Sequence, residues 1–356
     1  MLNLVGAAVV LSLFVQGGMV SPQKPNPATA HLEQGQKLFQ AGDLTGALEA
    51  FEAAAKADPK DPRAYYLRGV VLEKRHDAGG AERAYREAVS RDNHFAPAHN
   101  NLGAMLIGKG ETAAAEKELQ AALSGDPKYA DAHFNLGLVR DAQGRPADAV
   151  RSYREAVRLR PEDATFHVNL GAALRKTGEI DGALTELRQA SRLAPQDAMV
   201  LANLGLLLSD KKSYDEAREV LERASKLDPK LVAAWSGLGR VEMRRKQPAA
   251  AAEALARARK LEPKDATIAA DYCRALADKD IKSKATQEEC RAAVALDARS
   301  ALARYELVKV LVAHGDCAGA KTELDKFAAL PGIKPDAKAK AQEILKSCAP
   351  DKPGKK

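Results

Sequence analysis

The chain has 356 residues, of which 46% are apolar but only 4% aromatic, and its formal net charge is +7. A single globular core of this length would need more bulky side chains, so the composition favours many small packing units over one large domain. Positive and negative charges are mixed along the chain and accompany no recognised nucleic-acid-binding motif, so we expect no nucleic-acid partner.

The first twenty residues contain the one strongly apolar run, residues 2–20, without a preceding Lys or Arg. Three interpretations stay open. The run is an export signal cleaved between Met19 and Pro22, a membrane anchor that just spans a bilayer, or the product of a wrongly chosen start codon. Residues 21–27, SPQKPNP, predict an extended Pro-rich linker.

From residue 28 onward one pattern recurs every 34 residues, and we number places within this repeat from Ala130 of its best copy. Small residues stand at the eighth and twentieth places, a large residue at the twenty-fourth and proline at the thirty-second, as in Gly137, Ala149, Tyr153 and Pro161. Small residues let two antiparallel helices approach, the large residue fills the remaining gap, and proline ends the second helix. The pattern therefore predicts helix pairs.

These places resemble those of the tetratricopeptide repeat (TPR) family, whose unit is a 34-residue helix–turn–helix. The resemblance covers residues 28–334 and implies an all-α, right-handed α-solenoid of about nine helix hairpins. We expect residues 335–349 to form a capping helix and residues 350–356 a disordered tail. The eighth repeat departs most from the pattern, with Tyr272-Cys273 in place of Leu-Gly and one residue inserted before Cys290.

All four cysteines follow residue 272. Positions equidistant from a hairpin turn face each other, which pairs Cys273 with Cys290, and a capping helix that folds back would bring Cys348 to Cys317. With an export signal, this favours two disulfides in an oxidising compartment, and four free buried thiols are the alternative. No CxxC motif or Cys/His cluster indicates a metal site.

A series of carboxamides marks the candidate binding surface. Asparagine occupies the sixth place of four successive repeats, in the first helix, which lines the concave face of such a solenoid: Asn101, Asn135, Asn169 and Asn203. The series is similar to the asparagines lining the TPR groove of the O-linked GlcNAc transferase, which bind peptide main chain, although ordinary solvated or inter-helix roles are the alternative. Adjacent candidate residues are Asn100, Phe134 and Arg240.

Histidines form a second series, at the fourth place: His99, His133 and His167. Equivalent places in successive repeats lie too far apart to share one metal ion, so we interpret these residues as packing residues.

No catalytic motif is present, and the repeats leave no room for a catalytic domain, so we predict neither enzyme activity nor a cofactor. The favoured function is a protein–protein interaction scaffold or assembly factor of the bacterial cell envelope, periplasmic or membrane-attached, that binds an extended peptide or helix. Similar TPR proteins assist assembly of pili, gliding machinery or secretins.

Two rival functions stay open. One is a substrate-presenting subunit of a separately encoded enzyme such as a glycosyltransferase. The other is a cytosolic co-chaperone, for which Arg175, Lys176 and Arg240 form only a partial set of carboxylate-binding cations.

Overall fold

The computed structural model describes residues 26–348, and all regular structure in that range is α-helical. Nineteen helices are present there, and none of these residues forms a β-strand. The predicted all-α fold class is thereby confirmed, and the helices follow the 34-residue repeat pair by pair.

Each repeat contributes a first and a second helix. The first helices are α1 (Pro27–Gln40), α3 (Pro62–Lys74), α5 (Ala96–Gly108), α7 (Ala130–Ala142), α9 (Ala164–Thr177), α11 (Ala198–Asp210), α13 (Val232–Arg244), α15 (Ala266–Asp280) and α17 (Ala301–Ala313). The second helices are α2 (Leu44–Ala57), α4 (Ala78–Arg91), α6 (Thr112–Gly125), α8 (Pro146–Leu159), α10 (Ile180–Leu193), α12 (Tyr214–Leu227), α14 (Pro248–Leu261), α16 (Lys284–Leu296) and α18 (Cys317–Ala328). A last helix, α19 (Pro335–Lys346), comes after the ninth pair.

The chain divides into two compact units, residues 1–186 and residues 187–356, with the boundary inside α10. We call them the N-terminal and C-terminal units. Within each unit a second helix packs against the first helix of the next repeat, and first helices also contact one another, α5 with α7 in the N-terminal unit and α13 with α15 in the C-terminal unit. The first helices therefore form one side of each unit, here called its first-helix face.

The two helices of a pair meet where a glycine faces a large side chain. A Cβ atom added to Gly35 would lie 2.5 Å from Cε1 of Phe51, and one added to Gly103 would lie 2.7 Å from Cγ of Leu119. Cβ atoms in proteins essentially never lie this close to another non-bonded heavy atom. The glycine thus opens the space that the large residue fills, and Phe51 and Leu119 are accordingly almost fully buried.

The eighth repeat closes its hairpin differently. Cys273 occupies the glycine place and Cys290 the place of the large residue, and a disulfide joins them with an S–S distance of 2.05 Å and a Cα–Cα distance of 4.8 Å. Both cysteines are fully buried. Helix α15, which contains Cys273, has 15 residues and is the longest among the described helices, and this extra length accommodates the inserted residue.

In all of the helix pairs except the eighth, the turn between the two helices contains a residue in the left-handed conformation. Five repeats use glycine there, with φ between 73° and 86°: Gly42, Gly110, Gly144, Gly178 and Gly315. Three repeats use His76, Lys212 and Lys246 instead, with φ of 63°, 63° and 59°. A side chain in this conformation costs about 1–2 kcal/mol, so these three turns are less favourable than the glycine turns.

Different contacts stabilise the two ends of the described range. At its start, Asn26 caps α1 by accepting a hydrogen bond from the backbone N–H of Ala28 at 3.1 Å. At its end, α19 buries Ala341 against Val308, Leu324 and Phe327, and so covers the apolar side of the ninth pair.

The predicted export or anchor segment, residues 2–20, and the predicted tail, residues 350–356, lie outside the described residues, as does most of the linker. Between residues 26 and 348, none of the helices combines the length and the apolar character that a membrane span requires.

Replacing Gly103 with alanine tests the contact between the helices of a pair. We expect a loss of about 1–3 kcal/mol in the free energy of unfolding, because the new methyl group meets Leu119. Gly108→Ala in the same helix is the matched control. A Cβ atom there would meet nothing within 4 Å, so this change should be neutral or stabilising by up to about 1 kcal/mol. Urea denaturation monitored by circular dichroism measures both, and equal effects would contradict the assignment.

Candidate peptide-binding surface

The sixth-place asparagines lie on consecutive first helices, but they differ in burial. Asn101 on α5 is buried, whereas Asn135 on α7 and Asn169 on α9 are half-buried in the first-helix face of the N-terminal unit. Asn203 on α11 is half-buried in the C-terminal unit. The four asparagines therefore lie on the same face of their helices because they share one place in the repeat. Their solvent exposure differs because the neighbouring residues pack differently.

A chain of hydrogen bonds links the asparagines of the third and fourth repeats to the core. Asn135 Nδ2 donates to Asn100 Oδ1 at 2.9 Å, and Asn100 Nδ2 donates to Asn101 Oδ1 at 3.2 Å. Asn101 Nδ2 donates to the hydroxyl oxygen of Tyr85 at 3.1 Å, and that hydroxyl donates to Oε2 of Glu73 at 2.7 Å. Asn100 and Asn101 therefore orient Asn135 rather than facing solvent themselves.

The tyrosine at the inner end of this chain stays protonated. Burial raises the pKa of Tyr85 far above its usual value, and the negative charge of Glu73 raises it further. Burial is also the main cause that raises the pKa of neighbouring Tyr66 to about 12. At neutral pH the Tyr85 hydroxyl consequently remains a hydrogen-bond donor to Glu73, which fixes the direction of the whole chain.

Phe134, the apolar candidate beside Asn135, lies beneath the surface. Its ring stacks on Phe166 with centroids 4.7 Å apart and contacts Tyr153 at 5.7 Å, and only 7% of the residue is exposed. It holds α7 against α8 and α9. The sequence did not reveal this, because the fifth place of a first helix borders both the exposed face and the core.

The remaining candidates are less constrained. Asn169 Nδ2 donates to the backbone oxygen of Thr165 in its own helix at 2.8 Å. In the C-terminal unit, Arg240 is exposed, and its Nη1 lies 3.7 Å from Oδ2 of Asp271. Arg240 borders a cavity that also includes Arg244 and Arg274, two cations that the sequence analysis did not single out.

The fourth-place histidines belong to a recurring contact between the first helix and the loop before it. In six repeats the fourth-place side chain hydrogen-bonds the backbone oxygen six residues earlier, at 2.7–3.3 Å: Tyr65 to Pro59, His99 to Asn93, His133 to Pro127, His167 to Pro161, Trp235 to Pro229 and Arg304 to Ala298. We call this contact the loop latch. In these six repeats it fixes the first helix to the loop before it.

Two of the histidines make a second contact. His99 Nδ1 lies 2.7 Å from Oε2 of Glu118, and His167 Nδ1 lies 2.6 Å from Oε2 of Glu186, each on the second helix of the same repeat. Both histidines are buried. In the described part of the chain, no three His, Cys, Asp or Glu side chains come together as metal ligands.

The second cysteine pair ties α19 to the ninth repeat. Cys317 opens α18, Cys348 lies just after α19, and their disulfide has a Cα–Cα distance of 5.6 Å and an S–S distance of 2.03 Å. Both residues are partly exposed, unlike the buried pair in the eighth repeat. The structure therefore contains one solvent-accessible and one inaccessible disulfide.

Two family models match the chain. The model described as the cilia and flagella-associated protein 70 C-terminal domain matches residues 5–226, and a tetratricopeptide repeat model matches residues 208–270. The comparison with curated proteins gives no match.

Solved structures with the same arrangement of helices include one titled as the functional characterization of Pseudomonas aeruginosa pilF. It is 22% identical, covers 58% of this chain and 95% of its own, and has a TM-score of 0.54. Another, the APC/C hetero-tetramer Cut9–Hcn1, is 20% identical, covers 80% of this chain and 55% of its own, and has a TM-score of 0.55. At these identities the similarity concerns the fold.

Removing His99 tests the loop latch. We expect His99→Ala to lower the free energy of unfolding by about 2–4 kcal/mol, because Glu118 and a backbone oxygen lose a buried partner. His133→Ala is the matched control, since His133 is half-buried and makes one such bond, and it should cost about 1 kcal/mol. Urea midpoints compare the two variants. Equal shifts would show that the second contact of His99 does not contribute.

Mild reduction should separate the two disulfides. Thiol–disulfide exchange requires access to a sulfur, so dilute dithiothreitol should reduce Cys317–Cys348 first, while the buried Cys273–Cys290 bond persists until the chain unfolds. Timed alkylation with iodoacetamide and peptide mass spectrometry measure each pair. Simultaneous loss of both bonds in folded protein would contradict this expectation.

Proposed function

We propose, from the premise that this chain belongs to the tetratricopeptide-repeat family, that it is a non-enzymatic protein–protein interaction scaffold. We place it in the bacterial cell envelope, where it takes part in assembly and binds an extended peptide or helix on its first-helix faces.

One observation carries the peptide-binding part of the proposal, namely the row of half-buried carboxamides on the first-helix face. A carboxamide has two N–H donors and an acceptor oxygen. Asn135 uses one N–H toward Asn100, and its own oxygen accepts no hydrogen bond from residues 26–348. Asn135 therefore keeps one N–H donor and its acceptor oxygen, the two groups that pair with the C=O and N–H of a peptide backbone. Such pairing binds the main chain of a peptide whatever its side chains are.

The candidate residues would have different roles in binding. In the N-terminal unit, Asn135 and Asn169 would contact the peptide, Asn100 and Asn101 would hold Asn135 in place, and Phe134 would support it from the core. Asn203 and Arg240 would contribute to the separate first-helix face of the C-terminal unit.

Two features support an exported location. Cys273–Cys290 and Cys317–Cys348 are bonded in the structure, and such bonds persist in oxidising compartments. The apolar run at residues 2–20 has the composition of an export signal or anchor. Together they favour the periplasm or the envelope over the cytosol.

A second candidate function uses the same carboxamides to present an acceptor peptide to a separately encoded enzyme such as a glycosyltransferase. A scaffold would retain its partner unchanged. A presenting subunit would capture both an enzyme and a substrate that becomes modified, so the identity and modification state of the captured proteins distinguish the two.

The test removes the half-buried carboxamides of Asn135 and Asn169. Source cells would carry the full chain with a C-terminal affinity tag, as wild type or as Asn135→Ala plus Asn169→Ala, and proteins would be crosslinked before capture. We expect the double variant to lose at least about fivefold of one captured partner, equivalent to roughly 1 kcal/mol of binding. Quantitative mass spectrometry measures this loss.

Gln120→Ala plus Ser124→Ala on α6 is the matched control, because it removes two exposed polar side chains from a second helix. This control should capture the same partner as wild type. Thermal melting would establish that both variants fold. An unchanged set of partners for the folded asparagine variant would show that the carboxamides do not bind the partner.

A further inference from the structure

The strongest unassigned feature is a cavity of about 540 Å³ on the first-helix face of the C-terminal unit. Helices α13 and α15, with the turn after α13, supply its charged residues: Arg240, Arg244, Lys246, Asp271, Arg274 and Asp278. Met243 and Pro248 add apolar surface. The cavity therefore combines four cations, two carboxylates and a small apolar area.

Both carboxylates already have cationic neighbours. Oδ2 of Asp271 lies 3.7 Å from Nη1 of Arg240, and Oδ1 of Asp278 lies 3.6 Å from Nζ of Lys309. In contrast, Arg244, Lys246 and Arg274 form no side-chain hydrogen bond or ion pair with any residue between 26 and 348, and all three are exposed. Three positive charges thus border the cavity without a direct hydrogen bond or ion pair, and one of them, Arg274, lies close enough to Asp271 and Glu306 to act on their charges.

This charge is local to the last repeats. The ninth place of the third to sixth repeats holds Ala104, Leu138, Ala172 and Leu206, whereas the seventh to ninth repeats place Arg240, Arg274 and Lys309 there. Because the same place lies on the first-helix face in each repeat, a cationic row replaces an apolar one. With four cations and two carboxylates, the cavity lining has a local excess of positive charge.

We propose that this cavity binds an acidic segment of a protein partner, with side-chain carboxylates of Asp or Glu against Arg244, Arg274 and Lys246. The proposal rests on the proposed function, since it names the chemistry of the peptide that the C-terminal unit binds. Guanidinium groups pair with carboxylates through two parallel hydrogen bonds, which suits the two arginines.

The lining favours a peptide over a compact polyanion or a nucleic acid. Asp271 and Asp278 would repel a phosphate group, but they can accept backbone N–H groups of a peptide whose own carboxylates lie against the arginines. Burial raises the pKa of Asp271, so a donated N–H would stabilise its charged form. No aromatic side chain among the described residues lines the cavity, so the stacking that single-stranded nucleic acids use is missing.

The test uses the full chain and a fluorescein-labelled peptide of about eight alternating Glu and Ser residues with an amidated C terminus. Fluorescence anisotropy in dilute salt should show binding at least about tenfold tighter than that of the same peptide with Gln for Glu, and added salt should weaken it. Arg244→Gln plus Arg274→Gln should lose about tenfold in affinity or more, whereas Arg244→Lys plus Arg274→Lys, which keeps the charge but not the paired hydrogen bonds, should bind with an affinity between that variant and wild type.

Arg192→Gln plus Lys226→Gln is the matched control, because it removes the same charge from the second helices α10 and α12. The affinity of this control for the Glu peptide should stay within about twofold of wild type. If it loses as much affinity as Arg244→Gln plus Arg274→Gln, the attraction is non-specific and the proposal is overturned. Binding only when the peptide carries a free C-terminal carboxylate, or tighter binding of a single-stranded oligonucleotide of equal charge, would also overturn it.

The asparagine variant separates this proposal from the proposed function. Asn135→Ala plus Asn169→Ala lies in the N-terminal unit and should bind the Glu peptide as wild type does, whatever it does to partner capture. Loss of peptide binding in that variant would contradict a site confined to the C-terminal unit.

Discussion

The fold depends on one recurring contact, in which a glycine of the first helix faces a large side chain of the second. The backbone at Gly35 or Gly103 approaches its partner so closely that a single methyl group would collide. Hairpins of this kind are closed by local contacts, and the chain needs few aromatic residues because leucine fills the space in several pairs, as at Leu119, Leu221 and Leu255. In six repeats the loop latch then joins the hairpin to the loop before it, through residues as different as His, Trp and Arg.

This regularity explains where function can be encoded. Once the packing places are fixed, the sixth and ninth places of the first helices return to the same face of each unit and are free to vary. Carboxamides occupy the sixth place in the third to sixth repeats, and cations occupy the ninth place in the last three. The two proposed binding surfaces therefore differ in chemistry although their helices have the same backbone geometry. A repeat protein can in this way bind segments of different chemistry.

The period and the packing places could be read from the sequence because they depend on side-chain size at fixed spacing. That spacing was enough to predict the helix pairs. The roles of Asn101 and Phe134 did not, because a rotation of a few tens of degrees about the helix axis decides whether a carboxamide meets Tyr85 or solvent. The partners of His99 were equally hidden, since a bond to Asn93 depends on the path of the intervening loop. The cations around Arg240 become a set only when α13 and α15 lie side by side.

In the eighth repeat a covalent bond takes the place of a packing contact. Cys273 and Cys290 occupy the two places that in most other repeats hold glycine and a bulky residue, and both are fully buried. Reduction would break the bond and leave two buried thiols in contact at this hairpin. The eighth hairpin therefore needs an oxidation step to reach the bonded form described here, whereas the glycine-centred hairpins reach theirs by packing alone.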